Sequence, residues 1–217
     1  MADYGVYLTT TDGRPFITPE TTPVSLLGKY TASGDGVATA VITIDPSVIN
    51  IPFVLSDAPA VHSVGYSGTQ MTVRSSRQDS TGGAVNMQLY VFSIKAPTLP
   101  KWGVAIWNAA GKCILTNETR VLRDIVTIGT KGDPGTSGTS INQTRAGKWA
   151  IMPELAGNLA GVINQSPFSI PQIFFSRYDG TNTQISSVLA TTPPTGGQGT
   201  TTSAQSSVKA IDASLYD

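Results

Sequence analysis

The sequence predicts an all-β protein, an antiparallel β-sandwich of immunoglobulin-like or related type. Three observations carry that expectation. Charged residues make up only 13% of the 217, where soluble domains average about a quarter, and Thr, Ser, Gly and Asn take their place. Short runs of β-branched and aromatic residues recur, separated by Gly, Pro and Asp turn signals. No stretch before residue 128 shows the 3.6-residue apolar period of an amphipathic helix.

The first element is a hairpin that the chain uses twice. Tyr4-Gly5-Val6-Tyr7-Leu8, a turn at Asp12-Gly13 and Arg14 to Thr21 align without a gap with Trp102-Gly103-Val104-Ala105-Ile106, a turn at Ala110-Gly111 and Lys112 to Thr119. Six of the eighteen aligned positions are identical and five more exchange like for like. Val6 and Leu8 alternate along a strand, as do Val104 and Ile106, and Gly supplies the φ > 0 that a tight hairpin turn needs. A self-similar unit of this kind is a structural module.

Between the copies, residues 37–44 are β-rich, Phe53-Val54-Leu55 is a short apolar strand between prolines, and Val61–Tyr66 and Gln70–Arg74 follow. Ala84–Ile94 places Val85, Met87, Leu89, Val91 and Ser93 on one face. A last strand is expected from Arg120 to Ile128. Residues 1–128 thus form the sandwich domain.

Residues 129–140 read as four Gly-X-Y triplets, with Gly129, Gly132, Gly135 and Gly138 in register. Gly at every third position is what a triple helix requires at its crowded axis. The plainer assignment is a flexible Gly/Thr/Ser linker. Either way a domain boundary is expected here, with the glycines marking a linker or an oligomer axis.

Residues 141–190 form a smaller β-rich segment. Lys148–Met152 and Gln172–Tyr178 are strand-like, Asp179-Gly180 is a turn, and Ile185–Leu189 returns. Leu155–Asn164 is expected as a short helix or a close-packed loop. Fifty residues make a marginal core, so this segment is expected to lean on the first domain or on other subunits. Residues 191–217 read as a low-complexity C-terminal arm. Such composition orders only against a partner, and docking on a neighbouring subunit is the expectation.

Charge and cysteine content exclude several function classes. Formal net charge is zero, from 14 basic and 14 acidic residues, with no basic cluster to meet nucleic acid. No apolar run approaches the roughly 20 residues of a membrane span, and the first residues lack the pattern of a secretory signal. A start in the cytoplasm is expected. Cys113 is the one cysteine and His62 the one histidine, too few for an intramolecular disulfide or a zinc site.

Chemistry is sparsely represented. Three glutamates occur, Glu20, Glu118 and Glu154. Glu20 and Glu118 hold equivalent repeat positions, so they read as turn or strand-end residues before they read as a glycosidase pair. Cys113 replaces Pro15 of the first copy and reads as a small strand residue. His62 could serve a Ser/His/Asp site with Asp57 or Ser63, but no G-x-S-x-G elbow accompanies it. Asp133 with Asp124 could be surface calcium ligands, but no EF-hand loop surrounds them. No catalytic, cofactor or metal site is expected. Among the aromatics Tyr66, Trp149, Phe174, Phe175 and Tyr178, the two phenylalanines suit a core. Tyr66 and Tyr178 are the candidates for a surface contact.

Tyr90-Val91-Phe92, a Pro-bearing spacer and Trp102–Lys112, together with Met1–Val6, resemble segments of minor tail and tail-fibre-associated virion proteins of lambda-like tailed bacteriophages. The resemblance covers about residues 1–128; residues 141–217 do not share it. It implies a non-enzymatic structural protein of the virion, made in the host cytoplasm and placed at the tail tip or fibre attachment. The implied partners are further copies in a trimer or a multiple of three, and other tail proteins. The alternatives are an adhesion module for a host receptor or glycan, and a capsid decoration or head-fibre protein.

Overall fold

The computed structural model describes residues 8–9, 11, 15–17, 22–79, 82–130, 141–163, 165–192, 198–202 and 206–217. The regular structure of the described chain is almost entirely strand. β1 (Leu8–Thr9) and β2 (Pro15–Ile17) precede the long β3 (Ser25–Asp35), β4 (Val37–Thr43), β5 (Asn50–Ser56), β6 (Ala60–Ser67), β7 (Gln70–Arg77) and β8 (Ala84–Ser93). Then come β9 (Ala105–Trp107), β10 (Cys113–Thr116), β11 (Val126–Gly129), β12 (Asn142–Ala146), β13 (Trp149–Ile151) and β14 (Leu155–Ile163). β15 (Ser166–Tyr178), β16 (Asn182–Leu189), β17 (Gln198–Thr202), β18 (Ser207–Asp212) and a 3-10 turn at Ala213–Tyr216 complete it.

Two antiparallel sheets make the body. One has the order β11-β18-β13-β5-β8-β3; the other runs β12-β16-β15-β6-β7-β4, with β14 and then β17 added beside β15. The all-β, antiparallel, sandwich-like expectation therefore describes the protein. Strict alternation builds the core: in β4, Ala38, Ala40 and Ile42 are buried between exposed neighbours. They meet Met71 and Val73 of β7 and Val85, Met87, Leu89 and Val91 of β8, the face of β8 that its sequence marks.

β8 is buried on its other face too. Tyr90 and Phe92 join Phe53, Leu55, Ile211 and Tyr216 in a second cluster. Phe92 packs edge-on to Phe53 at 5.8 Å and to Tyr216 at 4.8 Å between ring centroids, the T-shaped arrangement that aromatic quadrupoles favour.

The expected separation of a 1–128 sandwich from a 141–190 unit does not describe these sheets. β13 pairs with β5 through Ile151 and Val54, and β15 pairs with β6 through Phe175 and Val61. The later strands cover edges that β5 and β6 would otherwise leave open, and so share one core with them. The C-terminal arm is likewise corrected: β18 lies inside the first sheet between β11 and β13. Val208, Ala210, Ile211, Ala213 and Tyr216 are buried against the protein's own core, so residues 207–217 do not need a neighbour to order them.

Smaller corrections follow from pairing. Leu155–Ile163 is a strand, held along most of its length by β15. The strand expected over residues 120–128 shortens to β11, with Val121 in an isolated bridge to Ser25 and its carbonyl accepting from the Tyr216 hydroxyl at 3.3 Å. β3, which the sequence reading passes over, is paired with β8 along its length. Gly129 closes β11 opposite Ser207 with φ +87°, and a Cβ there would sit 2.1 Å from the Ser206 carbonyl oxygen. Its glycine is thus required by a contact within the chain. Gly132, Gly135 and Gly138 lie outside the described residues.

Candidate functional site

The two copies of the repeat form two hairpins that stand outside both large sheets, β1 with β2 and β9 with β10. Their registers coincide after the shift of 98 positions: Leu8 pairs Ile17 as Ile106 pairs Leu115, and Thr9 pairs Pro15 as Trp107 pairs Cys113. Each skips one residue, Phe16 in the first and the buried Ile114 in the second. Such an extra residue is a β-bulge and re-aims the strand.

The second hairpin is described in full. Asn108 closes its turn, accepting from Ala110 N at 3.1 Å and Lys112 N at 2.8 Å through Oδ1, while Gly111 takes φ +72°. Asn117 accepts from Val104 N at 3.1 Å and lies where a Cβ on Gly103 would be. Thr116 and Thr119 close the exit turn, with their hydroxyl oxygens 3.0 Å apart and Thr116 N donating to Thr119 Oγ1 at 2.9 Å. The second copy's Thr-x-Glu-Thr, residues 116–119, makes this turn. Glu118 sits within it and Cys113 is buried in the hairpin. Glu20 lies outside the described residues.

This hairpin presents apolar side chains to water. Trp102 is 84% exposed, Val104 67%, Leu99 56% and Trp107 49%, and all four line one groove of about 500 Å³. The two indoles alone leave on the order of 300 Å² in solvent, in the range of the largest patch on a typical monomer, about 300–600 Å². A second, smaller cleft of about 290 Å³ lies between the start of β3, residues 95–98 and the exit turn, and carries Lys95, Glu118 and Arg120. Sequence reasoning recognised the repeated hairpin but not this surface. The signal was present in Leu99, Trp102, Val104 and Trp107, which share one short segment.

The surface candidates from sequence lie elsewhere. Tyr66, at the β6–β7 tip, is exposed and its hydroxyl donates to the Asn50 carbonyl at 3.2 Å. Tyr178 is partly buried against the second core cluster and donates to the Gly180 carbonyl at 2.7 Å. The pairing of Phe175 with Val61 sets them eight strand positions apart, roughly 27 Å, so they form no common patch. Phe174 and Phe175 are core residues. Trp149 carries Arg145 over its ring at 4.3 Å.

His62 is sealed in the sheet. Its Nδ1 meets Ser75 Oγ and its Nε2 meets Ser176 Oγ, each at 2.8 Å, and burial pushes its pKa down to about 3. The partners considered from sequence are placed differently. Asp57 accepts from the Asn86 backbone and side chain at 2.9 and 2.6 Å, and Ser63 is exposed. Asp124 lies 3.7 Å from Arg123, whereas Asp133 is outside the described residues. Among the described residues no three His, Cys, Asp or Glu side chains converge as a metal site would require.

One charged cluster is well formed. The Asp217 carboxylate accepts from Lys29 Nζ at 2.5 Å, Lys148 Nζ at 2.7 Å and the Tyr90 hydroxyl at 2.7 Å, and Arg120 donates to the Asp217 carbonyl at 2.8 Å. Burial pushes the Asp217 carboxyl up, but hydrogen bonds from Lys148, Lys29 and Tyr90 outweigh it and hold the pKa at about 2. Burial, then the bond to Asp217, pushes the Tyr90 phenol up. The cluster anchors the C-terminal turn.

The chain belongs to a family of unknown function (DUF6453), whose model matches residues 20–144. The match begins at the end of the first repeat, takes in the whole second hairpin and runs through the Gly-rich stretch. No curated protein and no solved structure matches the chain.

Proposed function

We propose that this protein is a non-enzymatic structural component of a tailed-phage virion, a minor tail protein at the tail tip or fibre attachment, that works by oligomeric assembly. The observation that carries assembly is the groove of Leu99, Trp102, Val104 and Trp107 on a hairpin outside both sheets. Apolar side chains gathered in one groove support a contact role, since burying them against a partner is favourable and the largest patch on a monomer is often functional. The virion setting is supported by the resemblance of Tyr90–Val91–Phe92 and Trp102–Lys112 to phage tail proteins. A sandwich whose one histidine is locked between two buried serines suits a scaffold.

The test is location. Antibody to the protein, viewed on purified virions by electron microscopy, is expected to mark the distal tail. Label on the head would replace this reading with a decoration or head-fibre role, and unlabelled virions would remove it. A receptor or glycan contact is the second reading, favoured by Tyr66, which is 55% exposed at the β6–β7 tip. Purified protein that binds host cells and loses binding on Tyr66→Ala would establish it.

A further inference from the structure

We propose that the open edge of β4 is a self-association surface, at which residues 39–43 of two copies of this chain pair antiparallel about a twofold axis through Val41. The β9–β10 groove takes no part in this contact, and the inference does not depend on the virion reading.

β4 ends the second sheet and, among the described residues, pairs with β7 alone. Arg77 N donates to the Gly36 carbonyl at 2.9 Å and Ile44 N to the Thr69 carbonyl at 2.8 Å. With that register, Ala38, Ala40 and Ile42 spend their backbone groups on β7. Thr39, Val41 and Thr43 turn theirs outward. Val37 is excluded because β3 lies over it: a Cβ on Gly34 would sit 2.0 Å from its carbonyl oxygen. Open edges are ordinarily blunted by charge, proline, a bulge or shortness. β3 carries Lys29 and a register shift, β12 carries Arg145, and β11 has four residues. β4 has seven residues, no charge, no proline and an unbroken register.

The occupant follows from symmetry. Thr39-Ala40-Val41-Ile42-Thr43 carries like residues at equal distances on either side of Val41. About the proposed axis Thr39 meets the second copy's Thr43, and Val41 meets its own equivalent. Threonine pairs and β-branched pairs are favourable cross-strand neighbours. The three pairs of outward residues would exchange about six backbone hydrogen bonds. On the inner face the small Ala40 falls opposite the larger Ile42, continuing the core in which both are buried. Arg74 stands beside Thr39 on β7. Its two copies would lie three strand spacings and four residues apart, roughly 20 Å, beyond the Debye length of about 8–10 Å. The contact is isologous and closes as a dimer.

The test uses the full chain. Sedimentation equilibrium from about 10 to about 500 μM is expected to show monomer and dimer, weakly coupled because a strand edge buries less than the standard interface of about 1,600 Å². Hydrogen exchange is expected to show the amides of Thr39, Val41 and Thr43 gaining protection with concentration, while those of Ala38, Ala40 and Ile42 are protected throughout. Val41 is 55% exposed, so Val41→Lys and Val41→Glu are expected to keep the parental thermal unfolding. Each alone sets like charges against each other at the axis and is expected to associate about tenfold more weakly. Mixed in equal amounts, they are expected to regain parental association, because opposite charges then meet. Trp102→Asp is expected to leave the dimer intact. A parent that stays monomeric at the highest concentration overturns the proposal and leaves the edge to a strand of a different protein. Parental association by either Val41 variant alone, no recovery on mixing, or amide protection at residues 39–43 that ignores concentration overturns it as well. Loss of the dimer in Trp102→Asp overturns it in favour of self-association through the groove.

Discussion

Val24 and Leu122 face each other across an antiparallel contact, Leu122 N donating to the Val24 carbonyl at 2.9 Å. They stand 98 positions apart, the same offset as the repeated hairpins that precede them. The contact belongs to an antiparallel bridge centred on Ser25 and Val121, at the described start of β3 and just past the second copy. Leu26 N to the Arg120 carbonyl at 2.8 Å completes the bridge. Both residues also pack on the second core cluster, so the crossing joins the repeat to the body.

Leu122→Pro removes that donor and is expected to destabilise the protein by about 3 kcal/mol. Leu122→Met keeps both donor and volume and is expected to cost less than about 1.5 kcal/mol. Urea unfolding of the two variants measures the difference. Equal losses would mean that packing, and not the bridge, holds the crossing.

His62 makes stability depend on pH. Its folded pKa of about 3 lies below the ordinary value near 6.5, so between those values the unfolded chain binds the proton and the folded one does not. Stability is complete above about pH 6.5 and falls as pH drops toward 3. Each unit of difference corresponds to about 1.4 kcal/mol, so the loss reaches several kcal/mol. Denaturation at pH 7, 5.5 and 4 is expected to show it, and His62→Gln is expected to lower stability at pH 7 while flattening the slope.

Asp217 acts in a lower window. Its depressed pKa contributes stability that is present above about pH 4 and lost as pH falls toward 2. The pairs with Lys29 and Lys148 are partly exposed, so solvent screening limits their worth. Asp217→Asn is expected to cost about 1 kcal/mol at neutral pH. Melts at low and high salt should show that deficit shrinking as salt rises.

Gly129→Ala introduces a Cβ at φ +87° against the Ser206 carbonyl. A loss of about 3 kcal/mol is expected in the isolated chain, read by thermal unfolding. No effect there would return Gly129 to the role of a linker glycine.

Much of the first sheet-forming half was legible because its signals are local. The alternation of Ala38, Ala40 and Ile42 has period two, and Val85 to Val91 repeats it, so strand type and buried face follow from neighbours in sequence. The repeated hairpin was legible for the same reason, down to the aligned turn glycines. β3 was missed because Gly28, Lys29 and Gly34 interrupt its pattern. β14 was misread because Ala156, Gly157, Ala160 and Gly161 carry no periodic side-chain signal. Val208, Ala210 and Ile211 carried a short strand signal that the preceding Thr- and Gly-rich stretch obscured.

By itself the sequence determined the all-β class, the turns, the repeat and the face of β8 that meets the first core. Only the tertiary structure decided that β13 lies against β5, that β18 fills the first sheet, and that His62 sits between Ser75 and Ser176. It also decided that Trp102 and Trp107 face water and not a core. The physical reason is range: alternation and turn chemistry act over a few residues, whereas strand partners and burial are set by which edges and faces remain uncovered once the whole chain has folded.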